Sequence, residues 1–140
     1  MDPSTALSAL PHGPSFRFID RVEALTPGEE GRGVYEVTGR EGFLEGHFPG
    51  NPMVPGVILI EAIAQMGGVA AQSGDVVLRD LRLTAVRAAK VLGAAGPGER
   101  LEIRARVEGR LGGLVQVEGE VRGAGGLLAS ARITLSGEEG

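Results

Sequence analysis

The sequence predicts an α+β domain in which an antiparallel sheet wraps around one long, buried central helix. Three observations carry the prediction. Val57, Ile58, Leu59, Ile60, Ala62, Ile63, Ala64, Met66, Val69, Ala70 and Ala71 are apolar on every side of a helix, so that helix has to be buried on most sides. Residues 76–135 alternate with period two, broken by GPGE at 96–99 and GAGG at 123–126, which reads as consecutive strands joined by tight turns. Ahead of the helix, Pro49, Pro52, Pro55, Gly50 and Gly56 forbid regular structure and make a rigid loop.

The 140 residues form one domain, 1–140, large enough for a real core. Residues 1–9 read as a loosely ordered start, with a helical turn near Thr5–Leu10. FRFIDRVEAL (16–25) alternates and reads as a strand, PGEEG (27–31) as a turn, and GVYEVT (33–38) as a second strand. Residues 40–46 are a short connection whose Phe43 and Leu44 cap the core. The helix from Val57 has about 17 residues and runs roughly 25 Å, short for a membrane span. Gly67–Gly68 late in that helix cost about 1 kcal/mol each, which implies close approach of a neighbour or the start of the helix end. VVLRDLRLTAVRAAKVL (76–92) has strand character with a bulge or break. RLEIRARVEG (100–109), LVQVEGEVR (114–122) and LLASARITL (127–135) are the clearest strands, each with one apolar face.

A hydrophobic fraction of 42% fits a soluble globular chain. Residues 1–15 carry no basic start followed by an apolar run, so no secretory signal is read there, and the cytoplasm is the expected compartment. With no cysteine and only two histidines, neither a disulfide nor a zinc site is expected. The net charge of −4 argues against nucleic-acid binding. Its distribution is uneven: residues 79–110 hold seven Arg and Lys90 against four acids. That third presents either a basic patch to an acidic partner or a solvated strand face.

Two polar residues break the apolar helix. Glu61 and Gln65 stand four apart, one turn from each other on one face. A carboxylate in a buried helix is costly unless paired, hydrogen-bonded or protonated. His47, fixed on the Pro/Gly loop that enters the helix, completes an acid/base pair in outline. His12 reads as structural, and Asp20–Arg21 as a strand-end ion pair.

The run GHFPGNPMVPGVILIEAIAQ (46–65) resembles the 3-hydroxyacyl-[acyl-carrier-protein] dehydratases of type II fatty acid synthesis, which have the hot-dog fold. LPHGPSFRFIDRV (10–22) is similar to that family's N-terminal segment, and PGERLEI (97–103) to its Pro-Gly-Asp turn. The resemblance covers roughly residues 10–136. It implies catalytic His47 and Glu61, with the Gly56 N–H polarising the thioester carbonyl and Gln65 orienting Glu61. Glu rather than Asp at position 61 points to the branch that dehydrates without isomerising. Phe48, Met53 and Leu83 are expected along the acyl tunnel, and Arg79, Arg82, Arg87, Lys90 and Arg100 at the docking site of the acyl carrier protein. The resemblance also implies a homodimer with shared active sites, often assembled as a trimer of dimers, with no cofactor, metal, nucleic acid or membrane insertion. VRAAKVLGAAGPGE (86–99) departs from the family's basic, aromatic run, and Leu83 stands where an aromatic is usual. A hot-dog acyl thioesterase and a non-catalytic acyl-binding scaffold remain the competing readings, and the pathway is either fatty acid, lipid A precursor or polyketide synthesis.

Overall fold

A computed structural model describes residues 3–45 and 50–139. Helix α1 (Pro3–Ala6) and a 3-10 turn (Leu7–Ala9) open the chain. They are followed by β1 (Arg21–Thr26), β2 (Glu30–Glu36), the central helix α2 (Gly56–Gln72), β3 (Leu78–Val91), β4 (Arg100–Leu111), β5 (Leu114–Gly123) and β6 (Gly126–Glu139). One antiparallel sheet contains all six strands in the order β1-β2-β4-β5-β6-β3. The α+β class, with a sheet around one long helix, is the one expected. The N-terminal segment is tied down as well, for Ala6 and Leu10 are buried and α1 rests against β1.

Every residue of α2 from Ala62 to Gln72 is buried, as its apolar circumference requires. Glycines let the sheet come this close. A methyl group at Gly67 would sit 2.7 Å from Val117 Cγ1 of β5. One at Gly119 of β5 would meet Ile63 Cγ2 of α2 at 2.7 Å. Gly67 therefore marks close approach within the helix, which continues five residues further to Gln72. The neighbour it accommodates is a side chain.

Along β4 and β5 the alternation holds. Leu101, Ile103, Ala105, Val115, Val117 and Val121 face the core, and the outer face is a ladder of cross-strand ion pairs. Arg104 forks onto Glu118 at 2.7 and 3.1 Å, a hydrogen bond that holds the Glu118 carboxyl below its ordinary range. Most of the basic middle third is neutralised in the same way. Arg79 pairs with Glu138, Arg87 with Glu108, Arg100 with Glu23 and Arg106 with Glu118.

The structure corrects three readings. Residues 16–20 alternate like a strand but are not one: Pro14–Phe16 is a 3-10 turn and β1 begins at Arg21. The backbone groups of Phe16 and Phe18, which a ladder would have used, are bonded instead to the side chain of Gln65. Strand β2 begins at Glu30, inside the segment read as a turn, because Gly31 and Gly33 lie under Met66 and a side chain there would strike it. Asp20 and Arg21 do not pair with each other. Asp20 accepts the Glu36 N–H at 2.7 Å and Arg21 reaches Glu23 at 3.5 Å.

The adjacent glycines of α2 make opposite predictions. At Gly68 the nearest atoms to an added methyl are 3.9 Å away, so Gly68→Ala should stabilise by about 0.5–1 kcal/mol through helix propensity. Gly67→Ala carries the same propensity gain against overpacking of about 1–3 kcal/mol, and should be net destabilising. Urea midpoints of the two variants check the sign of each.

Candidate active site

Residues 53–55 lead into α2, anchored by the Val54 N–H on the Ala95 carbonyl at 2.7 Å. Pro55 is the N-cap, and no side chain caps the first turn. The N-terminal amides of α2 therefore present the positive end of the helix dipole. Gly56, the first helical residue, lies against the end of β3: a methyl there would meet Val91 Cγ2 at 3.0 Å.

Glu61 comes one and a half turns later, its side chain 19% exposed. Burial raises its pKa above the ordinary carboxylate value, while the Gln65 amide and the His12 ring oppose the rise. Gln65 is 1% exposed. Its Oε1 accepts the Phe18 N–H at 2.8 Å, and its Nε2 donates to the Phe16 carbonyl at 2.8 Å and to Glu61 Oε2 at 3.2 Å. It is at once a packing residue and the brace of the carboxyl.

The segment it holds is seated by aromatic rings. Phe18 makes edge contacts with Phe16, Tyr35 and Phe43 at centroid distances of 4.8, 6.0 and 5.9 Å, a favourable T-shaped geometry. His12 stacks on Phe16 at 5.9 Å, and Arg17 Nε donates to the His12 carbonyl at 2.9 Å. This delivers His12 Nε2 to 3.4 Å from Glu61 Oε2. The sequence reading missed that contact. The available signal was that His12 is one of two histidines and sits in the same block as the phenylalanines.

A cavity of about 360 Å³ opens beside this cluster, lined by His12, Glu61 and Gln65, then by Gly68, Leu81, Leu83 and Leu135 as far as Gln72 and Leu78. From Glu61 to Gln72 the helix rises about 16 Å. The Gln72 side chain donates to the Leu78 carbonyl at 2.6 Å and accepts its N–H at 3.0 Å, tying the helix end to the start of β3. The wall is mixed: Leu81, Leu83 and Leu135 supply apolar surface, and Asp80 and Arg82 of β3 stand among them.

Of the residues expected at the site, the structure brings Glu61, Gln65 and Leu83 to one cavity. Gly56 begins the same helix, and Met53 is half-buried in the loop before it. His47 and Phe48 lie outside the described residues. Arg79, Arg82, Arg87 and Lys90 all belong to β3, whereas Arg100 belongs to β4, with β5 and β6 between them. Within one protomer Arg100 does not join the other four.

A long helix wrapped by an antiparallel sheet, with an acid braced on the helix beside a cavity, is the hot-dog architecture in its enzymatic form. This chain belongs to the FabA-like family, whose domain model matches residues 10–132. It is 36% identical over 129 residues to a 3-hydroxyacyl-[acyl-carrier-protein] dehydratase FabZ of Syntrophotalea carbinolica, covering 91% of this chain and 88% of the relative. Among solved structures it is similar to the dehydratase heterocomplex ApeI:P of Xenorhabdus doucetiae, with a TM-score of 0.76 at 22% identity, covering 96% of this chain and 91% of that one. A hypothetical thioesterase of Streptococcus pneumoniae solved with coenzyme A shares the fold at a TM-score of 0.65 and 13% identity, covering 85% and 87%.

Replacing Gln65 tests the brace. Gln65→Leu leaves the Phe18 N–H and Phe16 carbonyl without their partner and should destabilise the fold by about 2–3 kcal/mol, read from urea unfolding. Because the Gln65 bond opposes the raised pKa of Glu61, the Glu61 carboxyl should also titrate at higher pH in this variant.

Glu61 leaves its own signature in stability. A raised folded-state pKa contributes stability that is fully present below the unfolded value and lost as pH rises through the folded value. As pH rises above the ordinary carboxylate range, wild type should therefore lose stability relative to Glu61→Gln. Parallel stability curves for the two proteins would mean that Glu61 does not titrate abnormally.

Proposed function

We infer that this protein is a hydro-lyase that dehydrates (3R)-3-hydroxyacyl-[acyl-carrier-protein] to the trans-2-enoyl thioester in fatty acid, or lipid A precursor, biosynthesis. The observation that carries the reading is Glu61: a carboxyl whose proton is favoured by burial, braced by Gln65 at a cavity, in a chain related over most of its length to dehydratases. Thioesterase neighbours share the fold alone.

In the proposed reaction, the Gly56 N–H at the start of α2 hydrogen-bonds the thioester carbonyl and stabilises the enolate as charge develops. His47 takes the C2 proton as general base. The C3–O bond breaks as Glu61 gives its proton to the leaving hydroxyl, which departs as water and leaves the C2=C3 double bond. His47 then holds one proton more and Glu61 one fewer, and exchange with solvent resets both. Nothing in these steps calls for a cofactor. The aliphatic wall of the cavity (Leu81, Leu83 and Leu135) suits the acyl chain, and Phe48 and Met53 are proposed to border it.

A second copy of the chain is proposed to complete the site, supplying His47 across a shared interface, with assembly to a trimer of dimers a further step. The support is β3, a 14-residue strand at the edge of the sheet, beside which Val86, Val91 and Leu92 are 51, 53 and 58% exposed. A long apolar edge is a liability unless it is covered. The acyl carrier protein is the proposed macromolecular partner, and Arg82 and Lys90, which have no ion pair among the described residues, are its best contacts on β3. No described helix is long and apolar enough to cross a membrane, and the cytoplasm is the proposed compartment.

The test is the enoyl-thioester absorbance on adding crotonyl-CoA, or the carrier-linked equivalent, to wild type, His47→Ala and Glu61→Gln. Hydration should remove the band in wild type without releasing thiol, and both variants should be slower by about 10²–10⁴-fold. Thiol release in place of hydration would make the protein a thioesterase, and binding without turnover would make it a scaffold.

A further inference from the structure

We propose that His12 is a positioning residue for Glu61, holding one carboxyl oxygen so that the other carries the proton delivered to substrate. The inference rests on the dehydratase reading above and assigns a role to a residue outside its acid/base pair.

Both polar neighbours of the Glu61 carboxyl meet the same atom. Gln65 Nε2 lies 3.2 Å from Oε2 and His12 Nε2 lies 3.4 Å from it, and among the described residues nothing bonds Oε1. A neutral carboxyl has one bare oxygen that accepts well and one that bears the hydrogen and donates. The Gln65 N–H bonded to Oε2, with the His12 ring set against the same atom, makes it the bare oxygen and places the hydrogen on Oε1.

The ring itself is oriented for this. His12 Nδ1 is buried and has no hydrogen-bond partner among the described residues, so in the neutral ring the proton belongs on Nε2, which faces Glu61. The Phe16 stack and the Arg17 bond to the His12 carbonyl fix the ring from behind. At 3.4 Å the contact is long for a hydrogen bond, as suits a resting, protonated acid. When Glu61 gives up its proton, the carboxylate draws its donors in, because charge-assisted bonds are shorter and stronger. An interaction that strengthens as charge appears favours the transition state over the ground state.

Few other ionisable groups face this carboxyl. On α2 the polar neighbour is Gln65, which does not titrate. From β3, Asp80 and Arg82 line the same cavity. The second copy is proposed to add His47. Changes at His12 leave all of these in place.

Two substitutions separate positioning from packing. His12→Phe keeps a ring on Phe16 and removes the donor, whereas His12→Gln removes the ring and returns an N–H near the Nε2 position. The experiment measures kcat and KM against pH for dehydration of a 3-hydroxybutyryl thioester, together with carbon-13 titration of the Glu61 carboxyl, assigned by its loss in Glu61→Gln. His12→Phe should lower kcat about 10- to 100-fold, as misplacement of a reacting group does. KM should change little, and the Glu61 limb should move to higher pH because an opposing group is gone. His12→Gln should recover most of the rate and return the limb toward wild type. The reverse order, with Phe active and Gln impaired, or coincident pH profiles in all three proteins, overturns the proposal. Absence of turnover in wild type would sink the dehydratase reading, while the carboxyl titration, shifted or unshifted in His12→Phe, still decides whether His12 acts on Glu61.

Discussion

A single buried amide organises this molecule. Gln65 is almost wholly out of water, and a buried amide is tolerable only if its hydrogen bonds are made. It makes three, to Phe16, Phe18 and Glu61. Two of them reach back 49 and 47 residues in sequence, so the N-terminal segment must lie across the face of α2. Once it lies there, His12 has little choice but to face Glu61. The site is thus a consequence of polar satisfaction in the core, and the Glu61 carboxyl is held by the same side chain that ties the N-terminal segment to the helix.

Burial of Glu61 depends on how closely the sheet closes on α2. Gly31 and Gly33 of β2 accept Met66, Gly119 of β5 accepts Ile63, and Gly67 of α2 accepts Val117. Glycine in an element interior costs about 0.5–1 kcal/mol relative to alanine, and the cost is met where the helix packs on β2 and β5. What it gains is a dry helix, and a dry helix is what favours the protonated form of a carboxyl. The raised pKa of Glu61 and the glycines at 31, 33, 67 and 119 are thus linked through the close packing of helix and sheet.

Much of this was legible in the sequence because it is written in periodicity and in local breaks. The bounds of α2, the three C-terminal strands with their turns, and the Glu61–Gln65 spacing all follow from patterns that a short window contains. The failures share a different cause. Residues 16–20 alternate as a strand should, but the competitor for their backbone groups is a side chain on a distant helix. Gly31 read as part of a turn because its reason for being glycine is Met66. The basic run at 79–110 read as either a patch or a solvated face because the acids that cancel it, among them Glu23, Glu118 and Glu138, come from other strands. The contact of His12 with Glu61 went unread because the two stand 49 positions apart. Each miss is a pairing between segments far apart in the chain, which no local pattern encodes.

The placement of Gly56 joins the two halves of the site. Glycine at the head of a helix forgoes propensity, and here nothing about its backbone angles demands it, since among the described glycines only those at 28, 39, 50, 98, 112 and 126 have positive φ. The demand is steric: Val91, at the far end of β3, lies where a side chain on residue 56 would be. Position 56, the head of α2, is therefore packed against the end of the exposed edge strand. In the proposed reaction, where the Gly56 N–H would hold the thioester carbonyl, a second copy pairing with that edge would bear on the helix head through Val91, whereas Glu61 and Gln65 are set by contacts within the chain.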